Sequence, residues 1–149
     1  LSKRGHVISI LSCEKQENFA KNKKIVSTKC LDANIHWDYE HYESKYPVIS
    51  PVLNSRRLKK RAQKIVKERR VEVLHCRSII PAGIGYKIAQ SCGLKFIFDI
   101  RGFWADERVD GGLWNLEKKI YKKVYNFFKK KEREYLVEAA HTISVSAGR

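Results

Sequence analysis

Three apolar stretches that read as strands, VEVLHC (Val71–Cys76), KFIFDI (Lys95–Ile100) and TISVS (Thr142–Ser146), alternate with helical segments through the later part of the chain. This alternation constrains the fold more than any other feature. The helical segments are Ser55–Arg70, Ile80–Cys92 with Gly93 as its C-terminal stop, and Leu113 to about Ala140. Strands that are apolar almost throughout, joined by crossover helices, predict a parallel sheet covered on both faces. Ligands of such sheets bind beyond the carboxyl ends of the strands. The polar run RGFWADERVDGG (Arg101–Gly112) follows KFIFDI directly, where a buried strand would leave the sheet at a ligand-facing rim.

The earlier part of the chain is less regular. Leu1–Gly5 reads as the tail of a helix with a glycine stop, followed by a strand at His6–Leu11. Cys13–Lys24 is polar and reads as a loop or short helix. IVSTK (Ile25–Lys29) and ANIHWDYEHY (Ala33–Tyr42) read as short strands, and Tyr46–Pro51, with two prolines, as an extended connector.

The 149 residues suffice for one domain with an ordinary core, so residues 1–149 are expected to form a single unit. No apolar run is long enough to span a bilayer, and LSKRGHVISIL lacks the order of a secretory signal, which points to a cytoplasmic chain. Cys13, Cys30, Cys76 and Cys92 show no C-x-x-C spacing and are expected as buried free thiols. The chain starts at Leu1 and contains no methionine, so it is expected to be a fragment of a longer protein.

The net charge of +15 is concentrated. Ser55–Arg70 holds nine Lys or Arg against one Glu, and Asn115–Glu134 holds eight against three, which leaves the remainder nearly neutral. In the second stretch Leu113, Leu116, Ile120, Val124, Phe127 and Phe128 recur with helical spacing and are expected to face the core. Lys118, Lys119, Lys122, Lys123, Lys129 and Lys130 fall elsewhere on the wheel. Beyond a solvated outer face, Lys118, Lys122 and Lys129 are candidates for an anionic membrane surface or a phosphate-bearing acceptor, with nucleic acid as the lesser alternative.

At the rim, the Arg101 guanidinium can hold a phosphate or carboxylate through two parallel bonds, or tie down its own loop through Asp106 or Glu107. Arg77 and Ser78 end the preceding strand and in a parallel sheet arrive at the same edge, so two guanidiniums there would form an anion site. Gly102, Trp104, Asp106, Glu107 and Arg108 complete the candidate cleft-binding set. Asp99 lies inside a strand and is expected to accept backbone N–H groups rather than act as a base. Asp106, Glu107 and Asp110 are carboxylates of the kind magnesium takes, but Arg101 and Arg108 neutralise them and no metal is expected. Trp104 and Trp114 read as core, with stacking on a sugar ring as the functional alternative. Gly83 and Gly85 read as close packing at a helix start, and His75 as a satisfied core histidine. His6, His36, His41 and His141 show no ligand spacing.

LSKRGHVISIL, VEVLHCRS, PAGIGYKIAQSCGLKFIFDIRGFWADE and HTISVSAGR together resemble the amino-terminal, acceptor-side domain of GT-B fold retaining glycosyltransferases, the group 1 or family 4-like enzymes. The most specific part, FDIRGFWADERVDGG, looks like a motif of one bacterial subgroup. The resemblance implies a Rossmann-like parallel sheet flanked by helices, lacking its first strand and its second domain. It implies an acceptor-binding half of an enzyme that moves a sugar from a nucleotide-diphosphate sugar to a glycan or lipid-linked acceptor. The missing carboxyl-terminal domain would carry most of the donor contacts, so no cofactor and no catalytic residue is expected in this fragment, which would be inactive alone. In that family the leaving phosphate can take the acceptor's proton, so no strong enzymic base is needed. With the central first strand absent, His6–Leu11 and Val71–Cys76 are expected to pair directly. The unlike alternatives are a basic nucleic-acid-binding domain and a small metal-dependent nuclease or phosphoesterase using Asp99, Asp106 and Glu107.

Overall fold

The computed structural model of the protein describes residues 1–45 and 49–144. The chain divides into two compact units, Leu1–Ile65 and Val66–Arg149.

In the first unit, the short helical turn Ser2–Arg4 is ended by Gly5 at φ 83°, a left-handed conformation that glycine adopts without a Cβ clash. Then follow β1 (Ile8–Lys15), α1 (Gln16–Asp32) and β2 (Ile35–Tyr42). The two strands are parallel, in register from Ile8 opposite Ile35 to Lys15 opposite Tyr42. IVSTK, expected as a strand, is the middle of α1. Its β-branched residues favour strands locally, yet strong helix formers flank them, and Phe19, Val26 and Cys30, one or two turns apart, are the only residues of α1 turned partly from water. The Phe19 ring lies 4.5 Å from Tyr39 and 4.9 Å from His41 on β2.

The helix α2 (Ile49–Glu68) begins earlier than the sequence implied. Of the expected connector, Tyr46–Val48 lie outside the described residues, and Ile49–Pro51 form the first turn of α2. Pro51 is tolerated there because first-turn N–H groups have no intrahelical acceptor. The buried Asn54 side chain accepts a hydrogen bond from the Glu43 N–H at 3.1 Å and donates to the Glu43 carbonyl at 2.8 Å. Arg61 reaches the buried Asp38 carboxylate at 2.9 Å. These ties use up part of the cationic stretch that composition alone leaves free.

The second unit contains β3 (Val73–Arg77), α3 (Ile79–Cys92), β4 (Lys95–Ile100), α4 (Trp104–Asp110), α5 (Lys119–Glu138) and β5 (His141–Ser144). Val145 and Ser146 of the expected last strand lie outside the described residues. The sheet order is β3-β4-β5, all parallel. Direct pairing of the His6–Leu11 and Val71–Cys76 segments does not occur among the described residues: β1 pairs with β2 and β3 with β4, in two separate sheets.

Cys76, Phe96, Phe98 and Ile100 share a core with Ile79, Ala82, Tyr86 and Ala89 of α3 and Tyr135 of α5. Right-handed crossovers between consecutive neighbouring strands put both helices on one side of the sheet. On the other face Val73, His75 and Lys95 are exposed, while Ile97 and Asp99 are half-buried. His75 is accordingly not a core histidine. Of the cysteines only Cys76 is buried, and Cys13 and Cys92 are exposed, contrary to expectation. Burial pushes the Cys76 thiol up to about 11.

Gly83 and Gly85 do allow close packing. A Cβ at Gly85 would collide with the Cys76 sulfur, and one at Gly83 would stand 3.0 Å from the Tyr135 hydroxyl. Gly85→Ala is expected to destabilise the protein by about 1–3 kcal/mol in urea denaturation. Combining it with Cys76→Ala, which removes the obstructing sulfur, is expected to cost less than the two single losses added together; simple additivity would contradict this packing.

Candidate functional site

The β3–β4 ladder sets Arg77 opposite Asp99, and β4 ends at Ile100, so Arg77 and Arg101 both stand at the carboxyl-end rim of adjacent strands. Both are exposed, and neither makes an ion pair among the described residues. The tie from Arg101 to Asp106 or Glu107, one of its two alternatives, is not formed. Ser78 turns the chain from β3 into α3 with φ 74° and ψ 164°, a region that only glycine enters without strain. Its N–H donates to the Asp99 carbonyl at 2.9 Å, which holds the turn against β4. Its hydroxyl does not cap α3. The first-turn N–H groups of Ile79 and Ile80 have no intrahelical acceptor, and Pro81 has no N–H, so the positive end of α3 opens at this rim.

Asp99 does not organise the loop through backbone N–H groups as expected. Its Oδ2 lies 3.5 Å from Nε2 of His75, and its Oδ1 is buried with no hydrogen-bond partner among the described residues. A buried carboxylate oxygen of this kind is unusual, because protein interiors almost always satisfy polar atoms.

The residues after the rim divide into two roles. Asp106 on α4 accepts hydrogen bonds from the Tyr125 hydroxyl and the Lys129 ammonium, each at 2.7 Å. Lys129 also reaches the buried Glu132 at 2.7 Å and lies 4.9 Å from the Phe103 ring centre. Trp104 packs on Trp114 and Phe128, with ring centres 5.4 and 4.7 Å away, and the Arg108 guanidinium covers its ring at 4.8 Å. These contacts clamp α4 to α5. Gly102 lets the Glu107 carboxylate sit against the loop, where a Cβ would overlap it. Asp99 and Asp106 are engaged by different partners, and among the described residues no three His, Cys, Asp or Glu side chains gather as metal ligands.

The clamp also sets the rotation of α5. Of the expected inner stripe, Val124 and Phe128 turn inward, but Ile120 is 64% and Phe127 55% exposed, while Leu113 and Leu116 precede the helix. Lys129, expected on the outer cationic surface, is held inside by its two carboxylates. Lys118 and Lys122 are exposed. Two shallow depressions, one lined by Tyr125, Asn126, Lys129, Lys130 and Arg133 and another beside the start of β4, lie away from Arg77 and Arg101. Sequence reasoning missed the orphaned Asp99 oxygen and the Tyr125–Asp106–Lys129 clamp, because both depend on which faces the strands and helices present. No family model and no curated protein matches the chain.

Burial works to raise the Asp106 pKa, but the hydrogen bonds from Lys129 and Tyr125 outweigh it and hold the carboxyl below its ordinary value. Such a group adds stability above its unfolded pKa of ~3.9, and that stability is lost as pH falls through the lower folded value. Lys129→Met leaves Glu132 buried without its cation and is expected to destabilise the protein by about 2–3 kcal/mol at neutral pH. Its stability should also fall less steeply than that of the wild type below about pH 4; parallel acid limbs in denaturant titrations would contradict the clamp. At the turn, Ser78→Gly is expected to raise stability by about 1 kcal/mol by releasing backbone strain, and a loss would show that the conformation is not strained.

Proposed function

We propose that the chain is the acceptor-binding half of a retaining glycosyltransferase of the GT-B kind, taking part in transfer from a nucleotide-diphosphate sugar to a glycan or lipid-linked acceptor. The observation that carries this reading is the rim itself. Two guanidiniums without ion pairs among the described residues and the amino-terminal end of α3 occur together at the carboxyl ends of adjacent parallel strands. A ligand carrying an anionic group such as a phosphate answers Arg77, Arg101 and the helix end. The resemblance of FDIRGFWADERVDGG to the family's motif supports the same choice. The parallel α/β architecture is compatible with it. Donor binding and the transfer step then belong to a second domain, and this chain alone transfers no sugar.

Glucose 1-phosphate serves as an acceptor mimic in a nuclear magnetic resonance titration. Backbone shifts are expected at Arg77, Ser78 and Arg101, and either Arg77→Ala or Arg101→Ala should weaken binding about tenfold or more, the scale of a lost charge-assisted hydrogen bond. Shifts that avoid the rim, or that survive both substitutions, would contradict the reading.

A further inference from the structure

The outer face of α5 carries Lys119, Lys122, Lys123, Lys130 and Arg133, all exposed and none in an ion pair among the described residues. The acidic residues of α5 do not balance them. Glu132 is buried against Lys129, Glu134 is taken by Lys131 at 2.6 Å, and Glu138 lies in the last turn. The inward rotation of the helix leaves Ile120 and Phe127 exposed beside this face, two turns apart on one line. Lys123 and Lys130 flank Phe127 one turn before and after it. Between Lys130 and Arg133 lies the shallow depression that Tyr125 and Asn126 also line.

We propose that this face of α5 docks on an anionic lipid bilayer, with Phe127 and Ile120 entering the headgroup layer, the surrounding cations pairing with lipid phosphates, and the depression seating one headgroup. Charge complementarity selects an anionic partner, and the exposed aliphatic Ile120 in line with Phe127 selects a lipid surface over a nucleic acid, whose bases stack on aromatic rings but offer little to an aliphatic side chain. Among the described residues no helix is long and apolar enough to cross a membrane, so the contact is peripheral. The inference rests on α5 alone and stands independently of the sugar-transfer reading.

The test is cosedimentation of the chain with vesicles of pure phosphatidylcholine and with vesicles in which about a third of the lipid is phosphatidylglycerol. Binding is expected only to the anionic vesicles and should weaken as salt rises. Each cation near such a surface contributes roughly fivefold, so the combined variant Lys122→Glu, Lys130→Glu and Arg133→Glu should bind about a hundredfold more weakly or worse. Phe127→Ser should weaken vesicle binding roughly tenfold while leaving binding to polyuridylate unchanged. All four side chains are exposed, so unaltered melting curves are expected and establish that the variants fold. Equal binding to both vesicle types, or a triple variant that sediments like the wild type, would overturn the proposal. Tight polyuridylate binding together with vesicle binding indifferent to Phe127 would overturn it in favour of nucleic acid.

Discussion

The pairing of β3 with β4 is the constraint on which the rest of the second unit depends. Cys76, Phe96, Phe98 and Ile100 alternate with residues of the opposite face, so a one-residue slip would turn these buried groups toward water. Fully burying one such side chain is worth roughly 1.5–3 kcal/mol, and that sum fixes the register. Once it is fixed, Arg77 must arrive opposite Asp99, and the chain must leave β4 one residue before Arg101. The bond from the Ser78 N–H to the Asp99 carbonyl then extends the ladder into the turn and aims α3 back across the same strands. Core and candidate site are consequences of one alternation.

Three groups of cationic residues stand out that composition cannot separate. Arg57, Arg61, Lys129 and Lys131 are spent on carboxylates within their own unit and hold elements together. Arg77 and Arg101 stand at the strand ends without such partners among the described residues. The remaining lysines of α5 form an outer face that its acids leave unbalanced. The division between α4 and α5 is decided by Asp106 and Glu132, which draw Lys129 inward and with it rotate Phe128 and Tyr135 onto the core. That rotation is also what leaves Phe127 outside. Architecture and surface chemistry are thus linked through a single lysine.

Much of this was legible in the residues. The strand Lys95–Ile100 emerges with its predicted bounds, and the helix before it ends at Gly93 in the left-handed conformation that a glycine stop implies. Strand, stop and crossover are encoded locally, by apolar runs and by a residue without a Cβ. The first unit was harder to read because α1 buries little and so shows only a faint helical stripe, in which Ile25 and Val26 mimic a strand. The rim was placed by topology alone, since a parallel strand pair brings its carboxyl ends together whatever the side chains are. The partners of Asp99, Asp106 and Lys129 were out of reach, because each depends on contacts between elements far apart in sequence.

The register of β3 against β4 is tested most directly by cross-strand nuclear Overhauser contacts in the uniformly labelled chain. Contacts linking Cys76 with Phe98 and Arg77 with Asp99, together with slow hydrogen exchange at the Ser78 amide, are the expected result. An antiparallel pattern, a shifted set of partners or a rapidly exchanging Ser78 amide would separate the two guanidiniums from a common rim and contradict the account.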